Sequence, residues 1–491
     1  IEDIEKYFSK FPEKKLINST TKQRVIPKKY NTSVNWQSFT KKPLVTIYIT
    51  CFNYEKYVEQ AINSVLEQNF NDYELIIIDD GSEDNSRQII EKFKTHPKVK
   101  IIFQNNKGLN KTNNIAVREA SGTYIMRLDA DDYLDPNALH FLSKKIEEKP
   151  HCALVFPDYF LVDEEGHILS QERRHNFDKD VEMYDQPAHG ACTMFRKSVI
   201  EEIGMYSEQY DRQDGYEIWT KIANKYDVTN INLPLFYYRQ HDKSLTRDKD
   251  KLLLARSGML STQSKESCES NTLAIIPIRK DLNNNPVAIR TFSESSLLEI
   301  LISKLQSSNR INQIVISTND LTVIDYLEKN SSEITIHRRD NSISAINTPI
   351  ELTIDDILDS YPNFLENNKF LTILHYDYPF MDIRHVENSL NIMSIYNANS
   401  SMSVLACNTN LYEHDGKGLK PLPNNNQMRL ERDQLFQEVG GIHSLRLDWY
   451  LNNRSLQSNK TTHLIIDSLS SRKIKSEEDF ISLEFLFEKK N

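Results

Sequence analysis

The chain has 491 residues, of which 26% are charged and 39% hydrophobic, and its formal net charge is −10. That length implies two domains of roughly 200–250 residues, each able to bury a core. The acidic balance, with a pI near 5.8, excludes a general polyanion-binding surface, so nucleic acid is not an expected partner.

The five cysteines, Cys51, Cys152, Cys192, Cys268 and Cys407, show no paired or metal-binding spacing, which suits a reducing cytoplasm. No run reaches the apolar length of a membrane span and no signal peptide is visible. The expected location is cytoplasmic, with room for peripheral association at the inner face of a membrane. The chain opens on Ile1 rather than Met, which leaves room for sequence upstream.

Residues 1–40 read as an N-terminal extension, with a short helix over Ile1 to Phe11 and a basic, unpatterned surface wrap after it. Residues 41–255 read as a first α/β domain. Leu44 to Cys51 is an apolar, β-branched run of the kind found in buried strands. Val58, Ala61, Ile62, Val65 and Leu66 then recur at helical spacing, and Tyr73 to Asp79 is a second buried strand. Strand, helix and strand with short connections make a parallel βαβ unit, whose ligands bind beyond the carboxyl ends of the strands. That rule puts Thr50, Phe52 and Asn53 at one tip, with Asp79 and Asp80 at the next. The two aspartates read equally well as caps of the helix containing Ile89 and Ile90.

Val99 to Phe103 is the next strand. A loop with Lys107 and Gly108 follows, then a helix over Thr112 to Ala120. Thr123 to Leu128 runs into Asp129-Ala130-Asp131-Asp132. Carboxylates crowded at a strand tip repel one another unless a cation is present, and a hard cation bridges carboxylate and phosphate oxygens. The alternative is an acidic turn ahead of a helix near Pro136. Cys152 to Phe156 is a strand, residues 163–186 read as a charged loop, and Lys197 to Ile203 as a helix. Asp211 to Trp219 is an acidic motif opening an aromatic-rich helix, and Tyr237 to Thr246 carries Arg239 and His241.

Together these segments resemble glycosyltransferase family 2, the inverting enzymes of the GT-A fold. The resemblance implies that Thr50, Phe52 and Asn53 line the nucleotide, that Asp80 pairs with the uracil, and that Lys107 lies near the diphosphate. It implies Asp129 near the ribose, Asp131 on the metal, and Asp132 sharing either role. Inverting transfer needs a general base opposite the leaving diphosphate. The motif gives that role to Asp214, with Glu217 in reserve, although Gln213 replaces the acid usually found beside it. Arg239 is implied to neutralise diphosphate charge and His241 to complete the metal shell. Read without the resemblance, Asp214 and Glu217 are helix-start acids and His241 is a structural histidine. The implied cofactor is Mg²⁺ or Mn²⁺. The implied partners are a nucleotide-sugar donor, a UDP-sugar, and a glycan or lipid-linked acceptor.

Residues 256–271, rich in Ser, Lys and Glu, read as a linker. Residues 272–491 start again with strands, at Leu273–Ile278, Gln313–Ser317, Phe370–Leu374, Ser403–Ala406 and His463–Ile466. Helices are expected over Ser295–Leu305, Glu351–Ser360, His385–Ile395 and Glu477–Phe487. Ala274 to Arg279 and Ile314 to Asp320 resemble cytidylyltransferases of the CMP–sialic acid synthetase type, which implies a nucleotidyltransferase-like fold. Two departures count against activity. The loop Lys280 to Pro286 has no glycine to bring backbone N–H groups onto a triphosphate, and Lys473-Ile474-Lys475 stands where that family has its metal-binding aspartates.

The expectation is two tandem Rossmann-like α/β domains. The first would be a metal-dependent inverting transferase of bacterial surface polysaccharide synthesis, building capsule or lipopolysaccharide. The second would be a silent relic used for docking or homo-oligomer formation. The rival readings are a bifunctional enzyme that also makes a CMP-nonulosonic acid, and a non-catalytic glycan-binding or scaffold protein.

Overall fold

A computed structural model describes residues 33–34, 42–172, 183–184, 190–210, 214–222, 225–241, 249–265, 272–280, 286–330, 333–345, 347–407, 411–414, 416, 418–422 and 435–490. The helix expected over Ile1 to Phe11, and the residues Asp211, Arg212 and Gln213, lie outside them.

The first sheet takes β1 (Ser33–Val34), β2 (Val45–Cys51), β3 (Tyr73–Asp79), β4 (Val99–Phe103), β5 (Tyr124–Asp129), β6 (Tyr133–Leu134), β7 (Cys152–Val162) and β8 (Ile168–Glu172). Past β9 (Met183–Tyr184), which belongs to the other sheet, it takes β10 (Met194–Arg196) and β11 (Asp227–Arg239). Its helices are α1 (Val58–Leu66), α2 (Ser86–Glu91), α3 (Leu109–Glu119), α4 (Ala138–Glu148), α5 (Lys197–Glu202) and α6 (Asp214–Ile222). β2 and β3 are buried almost along their whole length, and mostly apolar, because parallel strands are covered on both faces. α1 buries Val58, Ala61, Ile62 and Val65, the face its spacing predicts. Burying each valine or isoleucine is worth about 1.5–3 kcal/mol, enough to dock a helix too short to stand alone.

After α7 (Lys249–Lys265), the second sheet is built from β12 (Thr272–Ile278), β15 (Ile311–Thr318), β16 (Thr335–Arg338), β17 (Phe370–Leu374), β18 (Ser400–Cys407), β21 (Leu435–Arg446) and β22 (Thr461–Ile465). Two small hairpins stand apart, β13 (Thr291–Phe292) with β14 (Ser295–Ser296), and β19 (Leu411–His414) with β20 (Leu419–Leu422). Its helices include α8 (Leu297–Gln306), α9 (Leu321–Asn330), α10 (Ile350–Ser360), α11 (Ile383–Ile395) and, at the end of the described residues, α12 (Glu477–Lys490).

The two sheets share one plan. The first runs β4-β3-β2-β5-β10-β7-β11 and the second β16-β15-β12-β17-β21-β18-β22. Numbering each set of seven from its own first strand gives 3-2-1-4-6-5-7 in both. In both, the sixth strand is antiparallel to its two neighbours and the seventh is parallel to the fifth.

Several expectations change. Residues 256–265 of the expected linker are the C-terminal half of α7, a 17-residue helix that packs against α11. Within the expected loop 163–186, β8 pairs with β7, while β9 crosses over to pair with β22. β11 is 13 residues long and accommodates Pro234 at a register shift, where the missing N–H is tolerated. Three of the cysteines, Cys51, Cys152 and Cys192, are buried free thiols. Among the described residues no helix is long and apolar enough to cross a membrane.

Candidate active site

β2, β3 and β5 end side by side. Thr50 is paired with Asp129 and Cys51 with Asp79, so three strand tips open onto one crevice. Phe52 is 42% exposed at the first tip. Asn53 turns the chain there with φ 61°, its N–H donating to Ser82 Oγ and its side-chain oxygen accepting from the Glu83 N–H. Asp80 is buried. It accepts from the backbone N–H groups of Lys107 at 2.8 Å and Gly108 at 2.9 Å, and from Gln104 Nε2 at 2.7 Å. Gly108 adopts φ 85°, a region that favours glycine, at the turn into α3. Asp80 therefore fixes the Lys107–Gly108 loop, leaving about one acceptor position for a ligand.

The centre of the crevice is a residue that sequence reasoning missed. Arg127 lies inside β5 with its side chain 4% exposed, and a buried guanidinium requires partners. Its Nε pairs with Asp129 Oδ1 at 2.9 Å and its Nη1 with Asp214 Oδ2. Asn113 of α3 donates to the same Asp214 oxygen at 3.2 Å. A strand tip and the first residue of α6 are thus bridged by one cation. The signal was present: an arginine within the apolar run Tyr-Ile-Met-Arg-Leu, just ahead of the acidic tip.

Gly190 lies against Arg127, and a Cβ there would stand 2.7 Å from Nη2. Gly190→Ala is expected to displace the guanidinium, cost about 1–3 kcal/mol of stability and lower turnover at least tenfold. Thermal melts with steady-state rates check this. Unchanged turnover would mean that Arg127 can move without disturbing Asp214.

Asp131, Asp132 and His241 form the other edge. His241 Nε2 is 2.9 Å from Asp131 Oδ2, and the imidazole stacks on Tyr57 with ring centroids 5.6 Å apart. Burial raises Asp129 to about 6, with Asp131 and Asp214 adding to the rise and Arg127 opposing it. Burial, with Asp131 and Asp129 beside it, also pushes Asp132 well above the usual carboxylate range. Asp132 Oδ1 accepts from the Arg239 N–H, but its buried Oδ2 has no hydrogen-bond partner. The tip thus carries more negative charge than its protein partners offset.

These residues fit a divalent cation. Asp131, Asp132 and His241 are residue types that would hold such an ion, and the unpartnered Asp132 Oδ2 lies among them. Among the described residues, three ligand atoms converge within 4.8 Å at Asp163, Glu165 and His167, on a turn where Glu165 and His167 are exposed, and not at the strand tip.

Two of the expected site residues are engaged within the fold. Arg239 is 2% exposed, and its guanidinium donates to the carbonyls of Asp131, Asp163 and Glu164 and to Gln60 Oε1. It holds loops together. Glu217 is also buried. It accepts from the Ser207 N–H with both oxygens and pairs with Lys221 at 2.6 Å, whereas the partners of Asp214 converge on one of its two oxygens.

The glycosyl transferase family 2 model matches residues 46–204. An uncharacterized glycosyltransferase of Methanocaldococcus jannaschii is 31% identical over 222 residues, covering 43% of this chain and 77% of that protein. The chain belongs to glycosyl transferase family 2. β2 to α5 is the part that the family model covers. A chondroitin synthase of Escherichia coli is 37% identical over 151 residues, covering 30% of this chain. The chain spans only 22% of that synthase's length, and 13% of a Pasteurella multocida hyaluronan synthase that it also resembles. A solved S. aureus TarS fragment in complex with UDP-GlcNAc aligns at 17% identity over 44% of this chain and 65% of the fragment, with a TM-score of 0.38.

Proposed function

We propose that this transferase moves a sugar with inversion from a UDP-sugar to a hydroxyl of a growing glycan, in the synthesis of a bacterial surface polysaccharide. The observation that carries this reading is the Asp129–Arg127–Asp214 bridge beside the Asp131–His241 pair. It joins two carboxylates through one fixed cation, which supports a donor side at Asp129 and an acceptor side at Asp214. In the reaction, the acceptor oxygen bonds to the anomeric carbon as the bond from that carbon to the diphosphate oxygen breaks. The acceptor proton passes to Asp214, and UDP leaves. Arg127 and Asn113 hold the Asp214 carboxylate in place for that transfer. Asp131 and His241 would hold Mg²⁺ or Mn²⁺, with Asp132 close by, and the ion would offset the charge of the leaving diphosphate. Thr50, Phe52, Asn53, Lys107 and Asp129 would line the nucleotide.

On this reading the described residues of the second sheet hold no such site. Lys473 Nζ lies 3.2 Å from Asp377, just past the end of β17, the strand that corresponds to β5. A lysine thus sits on the acid that follows the fourth strand. This supports a half without cytidylyl transfer, over the bifunctional alternative.

The test is a screen of UDP-glucose, UDP-galactose, UDP-GlcNAc, UDP-GalNAc and UDP-glucuronic acid by thermal shift, with and without Mn²⁺. A ligand at 100 times its Kd stabilises by about 2.7 kcal/mol. One UDP-sugar should raise the melting temperature only when the metal is present, and should release UDP slowly. Stabilisation by none of the five would sink the reading.

A further inference from the structure

We propose that the second half of the chain holds the helix carrying Asp214 in place, with Tyr396 as a positioning residue for that carboxylate; this rests on the reading of Asp214 as base. α6 has nine residues, of which Asp214, Tyr216, Glu217, Ile218, Trp219, Thr220 and Ile222 are buried. A helix covered on this many sides needs packing partners beyond its own sheet.

On the sheet side, Trp219 stands edge-on to Phe156 of β7, with ring centroids 5.8 Å apart. On the other side lies α7. Its Arg256 sits 4.9 Å from the Tyr216 ring centroid, its Gln263 Nε2 donates to the Glu217 carbonyl at 3.4 Å, and its Thr262 hydroxyl meets the Tyr210 hydroxyl at 3.0 Å. α7 packs in turn against α11, and Tyr396 directly follows that helix. The Tyr396 ring is buried beside the Trp219 side chain and within electrostatic reach of Tyr216 and Arg256. One apolar cluster contains Ile218, Trp219 and Ile222 of α6, Met259 and Leu260 of α7, and Ile392, Ile395 and Tyr396.

The second half therefore touches α6 at Trp219, about 7.5 Å along the helix axis from Asp214. A rigid helix transmits a shift at one end to the other, and a misplacement of about 1 Å at a reacting group can cost about 10² in rate. The partners of the Asp214 carboxylate, Arg127 and Asn113, belong to the first half, so the coupling runs through α6 as a body.

The test uses the full chain and the UDP-sugar that gives the fastest metal-dependent UDP release. Tyr396→Ala is expected to lower kcat about 10–100-fold while the donor KM stays within about twofold. Tyr396→Phe keeps the ring and should restore most of the rate. In an Asp214→Asn background, Tyr396→Ala should add less than about a further twofold loss, because two residues acting through one group are non-additive. Trp219→Phe gives a second route to the contact if Tyr396→Ala folds poorly, with a kcat loss of about 3–10-fold expected. A loss that multiplies with that of Asp214→Asn, or one carried by KM alone, overturns the proposal. Wild-type turnover by Asp214→Asn alone would instead remove the base reading, and the proposal with it.

Discussion

Asp214→Asn is expected to lower turnover by about 10²–10⁴, the usual range for loss of a general base, with donor affinity almost unchanged. The substitution is nearly isosteric, and an amide oxygen can still accept from Arg127 and Asn113, which converge on Asp214 Oδ2. The fold should therefore persist, and a melt should show it. What disappears is an oxygen able to take the acceptor's proton. The effect should fall on kcat, read as UDP release at saturating donor, while metal-dependent thermal stabilisation by the donor remains. A defect confined to donor binding would show that Asp214 serves the nucleotide, and the base would have to be sought elsewhere. Glu217 is a poor substitute, since Ser207 and Lys221 engage its carboxylate.

Asp131→Asn should abolish detectable transfer with either Mg²⁺ or Mn²⁺, and should remove the metal dependence of donor binding. The same change should leave the metal-free protein as stable as before, or more so. Asp131 contributes to the raised positions of both Asp129 and Asp132, so an amide relieves like-charge repulsion at the tip. Loss of activity without loss of melting temperature is thus the expected signature. Wild-type turnover at saturating Mn²⁺ would sink the metal assignment. A fall in melting temperature would assign Asp131 chiefly to its contact with His241.

How far the sequence can be read depends on where each signal is stored. β2, α1, β3 and β5 are written locally, as β-branched runs and a single apolar helical face, and they appear within a residue or two of expectation. The acidic strand tips follow from the same pattern. For Arg239 and Glu217, motif position gives residue type but not direction. Whether a guanidinium faces a ligand or a set of carbonyls is decided by loops over 70 residues away in the chain. Arg127 escaped notice because a lone cation in an apolar strand looks like a blemish until its partners, one of them 87 residues distant, are in view. α7 has hardly any one-sided apolar face, so no periodicity betrayed it; it is held from two sides at once, by α6 and α11.

The cluster shared by α6, α7 and α11 bears on how this chain can be cut and rejoined. Severing it after residue 271 would bare Met259 and Leu260 on one fragment and Tyr396 on the other, and would strip Met183–Tyr184 from the rim of β22. Each fragment would thus lose buried contacts to the other, although each keeps its full set of seven corresponding strands. Grafting a different transferase half onto residues 272–491 would therefore need more than a matching fold. The donor half would have to bring its own counterparts of Tyr216, Trp219 and Arg256, or arrive with its acceptor-side helix unsupported.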